Sequence, residues 1–185
     1  MKKLVVCRVC GFVMEEKDLK ALCPACGVLK TAFIDYKYSI NEKRQEKLNL
    51  HIHPITVHFP EAIAAFIVGF MFLSFITTPS FSADLITTNK ILSIFFPITV
   101  LIASVSGIYD SKIRFKRLSP PYLKTKIYLG TTLFIISLIV TYLFQIDYSC
   151  TTIKAAIFIL SLINLALSII LGRIGGKLIN SRMPG

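Results

Sequence analysis

From residue 51 onward the chain is a succession of long apolar runs separated by short polar ones. Four runs stand out, at about 54–77, 91–109, 127–146 and 155–172, and no Asp, Glu, Lys or Arg occurs from Ala62 to Ser82. Each run is close to the roughly 20 residues an α-helix needs to cross a bilayer. Core helices of a soluble bundle keep a polar face, and these barely have one. The pattern therefore predicts four transmembrane helices, the first opening at Pro54, a favourable first-turn residue. Ahead of them, residues 37–50 are polar, with Lys37, Glu42, Lys43, Arg44, Glu46 and Lys47, and predict a short solvated or amphipathic linker helix. The first 36 residues have another rhythm. Leu4-Val5-Val6 and Phe12-Val13-Met14 are short enough to be strands and nothing longer. The expected fold is mainly α, a four-helix transmembrane bundle behind a small β-type N-terminal module. The expected boundaries are 1–36 for the module, 37–50 for the linker, 51–180 for the bundle and 181–185 for a tail.

Composition strengthens this picture. Of 185 residues, 54% are hydrophobic, and the mean hydropathy is +0.68, too apolar for an ordinary soluble domain. The net charge is +11 although only 17% of residues are charged. Basic residues in so apolar a chain point to membrane flanks, and no aromatic-interleaved basic motif argues for nucleic acid. Thirteen Lys and Arg lie in the linker, in the 110–126 loop and after residue 172, whereas the other two connections hold only Lys90 and Lys154. The positive-inside rule then places both termini in the cytoplasm, in a multi-pass protein of the cell inner membrane. Leu4–Cys7 is too short for the core of a secretory signal. Small residues at Ala62, Ala65 and Gly69, and at Ala103 and Gly107, predict close helix packing.

The chemistry is concentrated first in Cys7-Arg8-Val9-Cys10-Gly11 and Cys23-Pro24-Ala25-Cys26-Gly27. Each Cys-x-x-Cys can form a tight knuckle, and two facing knuckles make a tetrahedral four-thiolate site for zinc or iron. The competing readings are disulfides or four unrelated buried thiols; a reduced site suits the cytosolic side of a membrane. A module this small builds little core, so the metal is expected to carry its fold. Phe33 and Tyr36 are expected to cover the site from the far side.

These motifs, with Phe12 and Lys30-Thr31-Ala32-Phe33, resemble the short rubredoxin-like module that ends rubrerythrins, over about residues 4–36. The resemblance implies one iron held by Cys7, Cys10, Cys23 and Cys26 and cycling between ferric and ferrous. Zinc ribbons use the same spacing, so zinc is the alternative.

A second polar constellation opens the first apolar run. The chain's three histidines, His51, His53 and His58, fall within eight positions, and His58 shares a helix face with Glu61 at i, i+3. An ionisable side chain inside a span is a functional-site hypothesis. Up-and-down topology brings Asp110, Lys126 and Arg173 to the same end, expected to lie beneath the metal module. His53, His58, Glu61 and Asp110 are thus candidates for a quinone and proton site or a second metal site. The competing account makes His51 and His53 interfacial residues and Asp110 a helix-end group paired with Lys112. The pattern His53-Pro54-x-x-x-His58-Phe59-Pro60, with Gly107-Ile108-Tyr109-Asp110 and the closing Leu171–Leu178 segment, resembles an uncharacterised family of small bacterial four-helix membrane proteins. That family often has a histidine opening the third helix, where this chain has Lys124-Thr125-Lys126. Haem with two histidine ligands would need a homodimer, one His58 from each chain, since a monomer has no histidine on a second helix. Cys150, alone in an outer connection, is expected to be inert.

No nucleophile–base pair supports hydrolysis. The expected role is one-electron transfer at the cytoplasmic membrane face, to or from a membrane partner such as a quinone, rather than an enzyme acting on its own substrate. The rival is a zinc ribbon serving as anchor or docking module without redox activity.

Overall fold

A computed structural model describes residues 3–37, 42–116, 118–146 and 150–179; the expected tail lies outside them. The chain divides into two compact units, residues 1–42 and 43–184, with the division falling inside the expected linker.

The first unit is a three-stranded antiparallel sheet in the order β2-β1-β3. Its strands are β1 (Leu4–Cys7), β2 (Val13–Glu15) and β3 (Phe33–Tyr36). Val5 lies opposite Met14 on one side and Asp35 on the other, and Cys7 lies opposite Phe33. Only Val5, Cys7 and Cys23 are fully buried among the described residues of this unit. The sheet therefore has too little apolar interior to stand as an ordinary core, which leaves the sulfurs as its organising centre.

The second unit is helical: α1 (Glu42–Asn49), α2 (Ile52–Ile76), α3 (Pro79–Phe115), α4 (Pro121–Ile146) and α5 (Thr151–Ile179). The last four are long and apolar enough to cross a membrane. They run up and down in a ring, α2 against α3 and α5, and α4 against the same two. Ala64, Ile67, Met71, Phe96, Val100, Val140, Phe144 and Ile157 form the core. The outward faces carry large exposed apolar groups, among them Phe66, Phe72, Phe75, Phe95, Leu101 and Val105. Inside, by contrast, Asn89, Ser93, Ser137, Ser161, Asn164 and Ser168 are buried. Apolar outside and partly polar inside is the arrangement expected of helices whose solvent is lipid.

Two expectations are corrected. Helix α3 begins at Pro79, not near Ile91, so the connection from α2 is only Thr77 and Thr78. The polar segment 79–90 stays helical because Asn89 turns inward and donates to the Ile67 carbonyl, and Ser82 donates to the Ser74 carbonyl. The stripe Ala62, Ala65, Gly69 does not pack helices: both alanines are exposed and nothing lies against Gly69. The packed stripe of α2 is Pro60, Ala64, Ile67 and Met71, one step round the helix. The linker helix, expected as solvated or amphipathic, has one side packed. Leu48 is buried, and Arg44 donates to the carbonyls of Ile113 and Arg114 at 2.5 and 2.7 Å. Those carbonyls lie in the last turn of α3, where no further intrahelical donor is available and a cation is favoured.

At 37 residues α3 outruns α2 at this end. Helix α1 lies along its extra turns, and His51, in the left-handed region at φ 50°, redirects the chain from α1 into α2. Its ring nitrogen Nδ1 is 2.6 Å from the Asn49 carbonyl. The starts of α2 and α4 and the ends of α3 and α5 share one end of the ring, here called the basic end.

Candidate functional site

In the first unit, the two Cys-x-x-Cys loops fold alike. Gly11 donates its amide to the Cys7 carbonyl at 2.8 Å, and Gly27 to the Cys23 carbonyl at 2.9 Å. Cys7 and Cys23 each donate across the loop as well, to Phe12 at 2.9 Å and to Val28 at 2.7 Å. Closing each turn requires positive φ, 75° at Gly11 and 76° at Gly27, which glycine adopts without strain. The result is two equivalent knuckles, each with one buried sulfur (Cys7, Cys23) and one exposed (Cys10, Cys26).

All four Sγ atoms lie within 4.8 Å of one another. Cys7 to Cys26 and Cys10 to Cys23 are each 3.8 Å apart. A tetrahedron with metal–sulfur bonds of about 2.3 Å has an edge of about 3.8 Å, so these sulfurs already stand at ligand spacing. They are far outside the 2.05 Å of a disulfide bond. Burial pushes the Cys23 thiol up, but the backbone amides of Cys26 and Ala25 outweigh it and bring the group down to about 7. At Cys26 the Val28 amide favours the thiolate, yet desolvation and the neighbouring Cys10, Cys23 and Cys7 sulfurs prevail, and it is pushed up to about 12. Four crowded sulfurs cannot all ionise unaided, and a bound cation is what allows it.

The basic end of the second unit holds the other candidate residues. His53 is half-buried with both ring nitrogens engaged: Nδ1 is 3.2 Å from Ser106 Oγ and Nε2 is 3.3 Å from Lys126 Nζ. A lysine ammonium only donates, so beside it Nε2 accepts and Nδ1 carries the proton toward Ser106. Thr56 completes the link, 2.7 Å from Ser106. The ring lies flat against Gly107, where a Cβ would meet His53 Cε1 at 2.8 Å. Asp110 and Glu61 lie within electrostatic reach of Lys126. Asp110 also pairs with buried Arg114 at 3.6 Å, too long for a hydrogen bond, which leaves Arg114 Nε without one. Glu61 Oε1 occupies space that a side chain at Gly172 would fill, and Lys126 Nζ does the same at Gly175.

The four membrane candidates thus do not form one constellation around His58. His53 and Asp110 turn toward the bundle and meet Lys126. His58 has 79% of its side chain exposed and sits 3.9 Å from Glu61. Among the described residues only the four cysteines bring three or more His, Cys, Asp or Glu ligand atoms together. At the basic end the Lys126 ammonium already stands where a cation would. Sequence reasoning missed Ser106, Thr56 and Arg114 as members of this cluster and placed Lys126 there only by its end of the bundle. Their signal was weak, since serine and threonine recur in every span.

A four-thiolate knuckle module followed by four apolar helices defines a small metal-binding domain joined to a membrane-type bundle. Residues 6–34 match the family model described as the rubrerythrin rubredoxin-like domain. No curated protein and no solved structure matches the chain.

Proposed function

We propose that the protein is a membrane-bound one-electron carrier whose four cysteines hold a single iron. The observation that carries this reading is a rubredoxin-like module with four sulfurs at tetrahedral spacing, in the same chain as four apolar helices. Iron bound there supplies a one-electron couple. Cys7 and Cys23 anchor it from the buried side, and Cys10 and Cys26 bring it to the surface, where a partner can approach. The apolar helices hold the carrier at the membrane, facing the cytoplasm by the distribution of Lys and Arg. The partner is a lipid-soluble carrier such as a quinone, and its proton is handled at the basic end. Glu61 takes it up beside the exposed His58, and the Lys126–His53 pair passes it inward.

Purified from its native source, the full chain should contain iron in equal amount to protein and be red, with charge-transfer bands that bleach on reduction. Stopped-flow oxidation by a quinone analogue should slow in Glu61→Gln without change in the spectrum. Colourless protein containing zinc would establish the rival, a docking ribbon on a membrane anchor.

A further inference from the structure

One face of α5 does not suit an apolar core. One side of it, at three- and four-residue spacing, reads Ile157, Ser161, Asn164 and Ser168, all buried, then the exposed Gly172 and the half-buried Gly175. Ser161, Asn164 and Ser168 are 2%, 1% and 3% exposed. Ser168 satisfies itself on the Asn164 carbonyl at 2.9 Å. Asn164 does not: both Nδ2 and Oδ1 lack a partner, and so does Ser161 Oγ. In a helix bundle surrounded by lipid an unpaired amide is costly, and the usual explanation is a guest that pairs with it.

The same face leads to the charged cluster. Glu61 lies against Gly172 and Lys126 against Gly175, and Gly172 itself is exposed. From Gly172 to Asn164 is eight residues, about 12 Å along the helix, a large part of the way to the middle of a hydrocarbon layer about 30 Å thick. Beyond Ser161 the face closes, for Ile157, Met71 and Phe144 are completely buried. At Asn164 the surrounding Ala64, Ile67, Phe96 and Val140 leave a crevice. As packed it is too tight for a water molecule, so a guest enters only on rotation of the Asn164 amide, which no hydrogen bond holds.

We propose that this face of α5 is a hydrated half-lane, open at the basic end beside Glu61 and Lys126, ending at a water-binding site on Asn164 and Ser161, and sealed beyond by Ile157, Met71 and Phe144. Water is the guest the donors and acceptors select. No charged side chain lines the crevice, so an ion would be unpaired there, whereas Asn and Ser offer both donors and acceptors. Such a lane delivers protons deep into the bundle from one side and conducts none across it. It does not depend on which metal the cysteines hold.

The test is water-edited solid-state NMR on the zinc-loaded full chain in lipid bilayers, with bulk water as the probe. Magnetisation from water should reach the Asn164 side-chain amide and Ser168 as fast as it reaches the exposed Asn49, and should not reach Ile157. Asn164→Leu should abolish transfer to Ser161. Two results would overturn the proposal: Asn164 in the wild type as dry as Ile157, or Ile157 as wet as Asn164. Both read the native chain, so a variant that fails to fold does not rescue the idea.

Discussion

The two units meet the same problem, polar groups that need partners, in opposite ways. In the module four sulfurs converge from two loops on one point, and almost nothing apolar is buried around them. In the bundle no point dominates. Apolar groups face outward, and the polar groups are distributed along the interior, most of them bonded to a neighbouring helix or to their own backbone, with Asn164 and Ser161 the exceptions among the described residues of α5. The module's order rests on a ligand the chain must acquire, and the bundle's order rests on its own side chains. Loss of one partner should therefore be catastrophic in the first and graded in the second.

The largest effect tests that contrast directly. Cys23→Ser removes a buried ligand and should abolish stoichiometric metal binding. In modules of this kind metal affinity, on the order of 10 kcal/mol, is folding free energy. Metal analysis and limited proteolysis should show residues 3–37 degraded while the helical circular dichroism of the bundle is retained. Melting of the helices together with the module would break the comparison.

Within the bundle, Lys126→Met should be the most severe change, about 3 kcal/mol, because it removes the partner of His53 Nε2 and the ammonium that Asp110 and Glu61 face. Lys126→Arg should retain most of the stability. Thermal unfolding in detergent reads both. Gly107→Ala should follow, at about 1–3 kcal/mol, since the new methyl meets the His53 ring held on both sides. Gly172→Ala meets only the end of the flexible Glu61 side chain and should cost less. Equal losses would mean that the His53 ring is not held as described.

Arg44→Ala should destabilise by about 1–2 kcal/mol, the scale of hydrogen bonds to a charged donor. Its specific sign is faster hydrogen exchange in the last turn of α3 with the rest of the bundle unchanged. His58→Ala, at an exposed position, should leave the unfolding temperature where it was. A clear shift would show that His58 packs against something, such as a second copy of the chain.

The two units were also unequally legible. In the module, sequence spacing is nearly the geometry. A Cys-x-x-Cys-Gly turn has one way to close, so the ligand residues and both flanking strands could be read directly. In the spans, length and hydropathy sufficed to count the helices. They could not say which face turns inward, because in lipid both faces are apolar. Hence Ala62, Ala65 and Gly69 were read as a contact stripe although the contact lies at Pro60, Ala64, Ile67 and Met71. The start of α3 was missed for a related reason: Asp84, Asn89 and Lys90 look like a loop until Asn89 is seen to face Ile67. Asn164 was a usable signal left unused, an amide in the middle of an apolar run.

The two-residue connection at Thr77 and Thr78 bears on how the chain enters its membrane. Helices α2 and α3 are joined too tightly to be inserted one at a time with a soluble segment between them. They form a hairpin whose tip exposes almost no backbone, and α3 can pair with α2 as soon as it leaves the ribosome. Only the tip must cross the bilayer, and between Glu61 and Asp84 it brings no charge with it. A connection this short favours entry of the two helices as one hairpin, with the charges of α1 and of the far end of α3 together at its open end.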